Sequence, residues 1–201
     1  MTDPRCPSPI GFTDVVDYWA GELTRAEEER IEAHVFGCAP CARELEAADA
    51  LARGIAAMAR DGRLHTVVTD GILNRLAADG VRIRMFTLEG DAVVPCAVWA
   101  GDDLVVARIR ADFTGVDAVT IVTRKGSGEE VGRLSDVAVR PGQREILNAF
   151  SAARLRTFPE TLVHVSVTTA TRDAGAGGGE RTLAEFTLDH GGSFERPAGP
   201  Q

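Results

Sequence analysis

The chain has no apolar run near the roughly 20 residues that a membrane-spanning helix needs. Its first residues, MTDPRCPSP, carry no apolar stretch of the signal-peptide kind. Both absences lead us to expect a cytoplasmic protein with no membrane attachment. In that compartment cysteines serve as thiols, metal ligands or redox sensors. The familiar catalytic signatures are also missing. There is no Ser-His-Asp pattern, no HExxH, and no glycine-rich phosphate loop after a strand. The AGAGGG tract at 174–179 is followed by no Lys-Ser/Thr or helix start, so it reads as a mobile hairpin loop. We therefore expect no enzyme. No internal repeat is present.

What is there suffices for a core. Hydrophobic residues make up 44% of the 201 residues and charged residues 26%, which is ordinary for a soluble chain. The charge is uneven. Residues 1–50 hold 11 acidic residues against four arginines, a net of −7 out of −8 for the whole chain. Phosphates would be repelled by that first quarter, so direct nucleic-acid binding is not expected there. A basic protein partner would be drawn to it.

The first eighty residues read as helices. Thr13 can cap a short helix ending at Trp19 or Ala20, with Gly21 in the C′ place. Thr24 and Glu27 form a capping box for a second helix that runs to Phe36 and ends or bends at Gly37. Pro40 suits the first turn of a third. There Leu45, Ala48, Leu51, Ile55 and Met58 recur every three or four residues, stopping near Asp61-Gly62. Asp61 to Thr66 is the expected hinge. A short fourth helix fits 68–79, with Ile72, Leu73 and Leu76 as its apolar face.

From Val81 the period changes to alternation, first in VRIRMFTL over 81–88. Apolar runs follow at 92–100, 103–113, 118–124, 131–139, 162–169 and 181–188, separated by Gly, Asp and Pro turns. This spacing predicts a mostly antiparallel sandwich or barrel. Residues 147–156, LNAFSAARLR, read as a helical crossover within it. Trp99, Phe113, Phe150, Phe158 and Phe186 are expected core, and Cys96 a buried small hydrophobe. The fold class is α+β. Residues 1–60 are expected to form a small helical bundle and 61–80 a hinge with the fourth helix. Residues 81–190 form the β domain and 191–201 a disordered tail.

Chemistry concentrates in one place. His34, Cys38 and Cys41 have the spacing H-x3-C-x2-C. A helix continued through Gly37 puts His34 and Cys38 on one face. Imidazole with thiolates suits zinc, which takes four tetrahedral ligands. The fourth must come from elsewhere: Cys6 is best placed, with Asp17 or a water as alternatives. A thioredoxin-like CxxC would need a preceding strand, and none is predicted before residue 81.

The stretch DYWAGELTRAEEERIEAHVFGCAPCAREL, 17–45, resembles the zinc-containing anti-sigma factors of bacteria. The resemblance covers roughly residues 6–60. It implies that Cys6, His34, Cys38 and Cys41 are the four zinc ligands. It also implies binding of an extracytoplasmic-function sigma factor, with three helices held between two sigma domains and a fourth helix clasping the far side. Ile72, Leu73 and Leu76 would then be partner-binding residues. Some members respond to oxidation, which makes Cys6, Cys38 and Cys41 redox candidates. Some soluble members carry a cupin barrel with clustered histidines. Here His65, His164 and His190 lie far apart, so no second metal site is expected. The alternative reading is a zinc-stabilised adaptor whose β domain binds another protein or a small ligand.

Overall fold

The computed structural model describes residues 6–90, 93–157, 162–170 and 179–189. Expectations for Phe158, His190, residues 174–178 and the tail at 191–201 lie outside these residues. The chain divides into two compact units. One comprises the residues up to Met58 with Thr69–Val81, and the other Ala59–Val68 with the residues from Arg82 onward. The 61–80 stretch, read from sequence as a hinge with a fourth helix, is thus shared between them.

The first unit is helical. Helix α1 spans Phe12–Ala20, α2 Arg25–Gly37, α3 Ala39–Arg60 and α4 Asp70–Ala78. Gly11 is the N-cap of α1, not Thr13, and Gly21 closes the helix in the left-handed conformation at φ 69°. The capping box of α2 is present. The Thr24 amide and hydroxyl both donate to the Glu27 carboxylate, at 2.8 and 2.7 Å. Those bonds, the hydroxyl's first, hold the Glu27 carboxyl below its ordinary range. Thr69 caps α4, its hydroxyl accepting from the Ile72 amide at 3.3 Å.

Helix α3 buries a different stripe from the one its large residues suggest. Cys41, Ala48, Ala52 and Ala56 are buried, whereas Leu51 and Met58 are exposed. Leu45 and Ile55 are half-buried. Alanines and leucines both fit a three-four spacing, so periodicity alone leaves the inward face ambiguous by one residue.

The second unit is a two-sheet sandwich. Strand β1 is His65–Val68, β2 Ile83–Leu88, β3 Val93–Pro95, β4 Leu104–Arg110 and β5 Ala118–Lys125. Strand β6 is Glu130–Ala138, β7 Glu145–Ser151, β8 Leu162–Ala170 and β9 Glu180–Asp189. One sheet runs β1-β7-β4-β2 and the other β3-β9-β8-β5-β6. Two pairings, β2 with β4 and β3 with β9, are parallel and the rest antiparallel. Both sheets are therefore mixed. Their inner faces meet in one apolar cluster that includes Val105, Ile109 and Phe150 from one sheet and Ile121, Val165 and Phe186 from the other.

Three expectations need correction here. Residues 145–151 form strand β7, and only Ala152–Leu155 is helical, as α5. Residues 146–151 are all buried, so the strand faces apolar surroundings on both sides and shows no alternation. The expected hinge runs into β1, which pairs with β7 from His65 opposite Phe150 to Val68 opposite Leu147. Trp99 is half-buried, not core; Arg84 stacks on its ring, 3.3 Å from the centroid. Arg84 also pairs with the Asp102 carboxylate at 2.6 Å, and that carboxylate accepts from the Trp99 amide at 2.8 Å. Phe113, Phe150, Phe186 and Cys96 are buried.

Candidate metal centre

Three local devices bring the ligands together. Cys6 precedes α1. His34 lies in the last turn of α2, and Cys41 in the first turn of α3. Cys38 is the C-cap of α2, in an extended conformation at φ −132° and ψ 94°. The helix thus passes Gly37 but does not include Cys38. This break turns the chain so that Cys38 and Cys41 face the same point.

The Cys6 Sγ lies 3.6 Å from His34 Nε2 and 3.7 Å from Cys41 Sγ. His34 Nε2 lies 3.2 Å from Cys41 Sγ. All four ligand atoms, that of Cys38 included, fall within 4.8 Å of one another. A tetrahedral zinc with ordinary Zn–S and Zn–N bonds has S–S edges of about 3.8 Å and S–N edges of about 3.6 Å. The Cys6–His34 and Cys6–Cys41 edges match those lengths, and the His34–Cys41 edge is shorter. Three thiols and an imidazole are also the donors that favour zinc over magnesium or calcium. Asp17 takes no part in the cluster.

Cys6 and Cys41 are buried, while His34 and Cys38 are partly open. Burial first, and then the neighbouring Cys38 and Cys41 thiols, push the Cys6 thiol up to about 11. Such a thiol does not ionise near neutrality by itself. A divalent cation among the sulfurs supplies the charge that lets them serve as thiolates. The cluster would hold zinc as three thiolates and one imidazole, joining Cys6 to α2 and α3.

The other sequence candidates lie apart. Leu73 and Leu76 are buried and Ile72 is half-buried. Helix α4 packs against the end of α1: Gly71 in its first turn meets Ala20, and Arg75 in its last turn lies over the Trp19 ring, 5.7 Å from its centroid. The apolar face of α4 is therefore covered. His164 is exposed and meets the Thr187 hydroxyl at 3.1 Å. His65 stacks on Phe150 with ring centroids 4.1 Å apart. No helix among the described residues is long and apolar enough to cross a membrane.

Sequence reasoning missed Phe36, the most open of the large apolar side chains among the described residues, at 91% exposure. A signal was available. Phe36 is two residues from His34, about 200° around a helix, so a helix that turns His34 inward must turn Phe36 outward.

No curated protein and no solved structure matches the chain. Residues 14–42 match a family model described as "Putative zinc-finger", a span that contains His34, Cys38 and Cys41 and begins after Cys6. The matched segment and the converging ligands coincide at His34, Cys38 and Cys41, so the part of the chain that is similar to that family carries a side-chain cluster fit for zinc.

Proposed function

We propose that this chain is an anti-sigma factor, which sequesters an extracytoplasmic-function sigma factor in the cytoplasm through its zinc-held helices. The observation that carries the reading is that three of the four clustered ligands, His34, Cys38 and Cys41, fall within the zinc-finger match, and Cys6 joins them in space from outside it. Domains of this type are typical of anti-sigma factors. The acid excess of these helices supports a basic protein partner over nucleic acid. Four side-chain donors complete a tetrahedron, which supports a structural role for the metal; catalytic zinc keeps one position for water or substrate. Zinc supplies the cross-link. The chain supplies the surface by holding α2 and α3 at a fixed angle.

Oxidation is the proposed releasing signal. Cys6 and Cys41 have sulfurs 3.7 Å apart, close enough for a disulfide after a small movement. A peroxide would take two electrons from the two thiolates. It would be reduced to water as the S–S bond forms, and two anionic ligands would be lost together.

The test is a pull-down of purified sigma factors by the full zinc-loaded chain under reducing conditions. Capture of one of them, reversed by a chelator, is expected. No capture with zinc present would reject the reading. Zinc retained after mild peroxide treatment would reject the redox part alone.

A further inference from the structure

Phe36 is 91% exposed, yet its backbone is not free to fray. It sits two residues after His34 and two before Cys38, both ligands of the metal centre. The side chain is therefore presented on a fixed base. Beside it runs a groove between α2 and α3, with Val35, Ala42 and Leu45 as its apolar lining. Glu46, Asp49 and Arg53 complete it. Arg53 is paired with Asp49 one turn away, which leaves Glu46 as the groove's excess charge. Residues 12–60 carry ten acidic side chains against five arginines, so the field around the groove is negative.

We propose that this groove seats a helix of the protein partner whose apolar side chain packs beside Phe36 and whose Lys or Arg residues reach Glu46. The inference rests on the proposed function, in which that partner is the sigma factor. Open apolar surface and excess negative charge select a basic partner segment with an apolar anchor. An open aromatic beside an apolar trough asks for an apolar anchor, as aromatic anchors of interfaces do. Acidic lining asks for basic neighbours on the incoming helix one turn from that anchor. A second copy of this chain would bring the same acidic helices and be repelled. The covered face of α4 cannot supply the open apolar surface, because Leu73 and Leu76 are buried.

The experiment measures binding of the full zinc-loaded chain to its sigma factor by calorimetry, beside Phe36→Ala, Glu46→Lys and Phe12→Ala. Zinc content is measured in each. Phe36→Ala is expected to weaken binding by at least about tenfold with one zinc per chain retained. Glu46→Lys is expected to weaken it less at high salt than at low salt. Phe12, also exposed but on α1, is expected to change little on substitution. Wild-type affinity in Phe36→Ala would overturn the groove while leaving the anti-sigma function standing. Absence of binding by the wild type would overturn both. A wild-type dimer that Phe36→Ala converts to monomer would assign the groove to a second copy and also overturn the proposal.

Discussion

Gly71 approaches Ala20 so closely that a Cβ at position 71 would lie 2.3 Å from the Ala20 carbonyl oxygen. The atom it would strike is backbone, which cannot swing aside. Gly71→Ala should therefore push α4 from α1 and cost about 1–3 kcal/mol in urea unfolding followed by circular dichroism. Gly54 is the control. It lies inside α3 with nothing within 4 Å of an added Cβ. Gly54→Ala should stabilise by up to about 1 kcal/mol, because alanine is the better helix former. Equal effects of the two substitutions would contradict the close contact.

Zinc should be required by the helices and not by the sandwich. Within α1 and α2 only Val15, Ala20 and Ile31 are buried, too little apolar surface to hold two short helices. Metal analysis of protein purified under reducing conditions should give one zinc per chain. Cys6→Ser and His34→Ala should lower it, and Asp17→Ala should not. A chelator should remove helical circular dichroism while leaving the strand signal. Zinc unchanged in Cys6→Ser would remove Cys6 from the ligand set.

His65 should make the protein sensitive to mild acid. Burial, and next the Arg154 charge, lower its pKa to about 4 against an ordinary 6.5. Gly132 on β6 leaves room for the ring; a Cβ there would lie 2.7 Å from His65 Cε1. The folded state keeps the imidazole neutral where the unfolded chain protonates it. Stability from this group is thus complete above pH 6.5 and is lost as pH falls to about 4. After allowance for the ring's partial exposure the loss is up to about 2 kcal/mol. Urea midpoints of wild type and His65→Phe, compared at several pH values across this window, should separate as pH falls, because the wild type loses stability that the non-titrating variant keeps. Parallel curves would rule out the linkage.

Cys96 should be inert while the fold is intact. It is buried in the sandwich, and that burial pushes its thiol up to about 12. Alkylation at mildly alkaline pH, followed by peptide mass analysis, should label Cys96 only after denaturation. Labelling at the rate of a free thiol would show that the sandwich opens locally.

The ligand set is legible because it is local. His34, Cys38 and Cys41 are fixed within eight residues by a helix end and a turn, so spacing alone nearly places their atoms. The capping box at Thr24 and Glu27 is legible for the same reason. Cys6 needed the resemblance as well as the count of four ligands. Its 28-residue separation from His34 carries no angle that periodicity can report. Strand β7 was unreadable as a strand, since burial on both sides erases alternation and Ala and Leu are good helix formers.

By itself the sequence determined what neighbouring residues settle: a zinc ligand motif, capped helices, an acidic first quarter and a run of alternating strands. Tertiary structure alone decided which strands pair in parallel, since β2 meets β4 and β3 meets β9 across intervening chain. It also decided which apolar residues are left for a partner. Leu73 and Leu76 look available on a helical wheel but are buried, whereas Phe36, held between two ligands, remains in solvent. The reason is physical. Local sequence sets the angle at which a side chain leaves its helix, and only packing decides whether something is there to meet it.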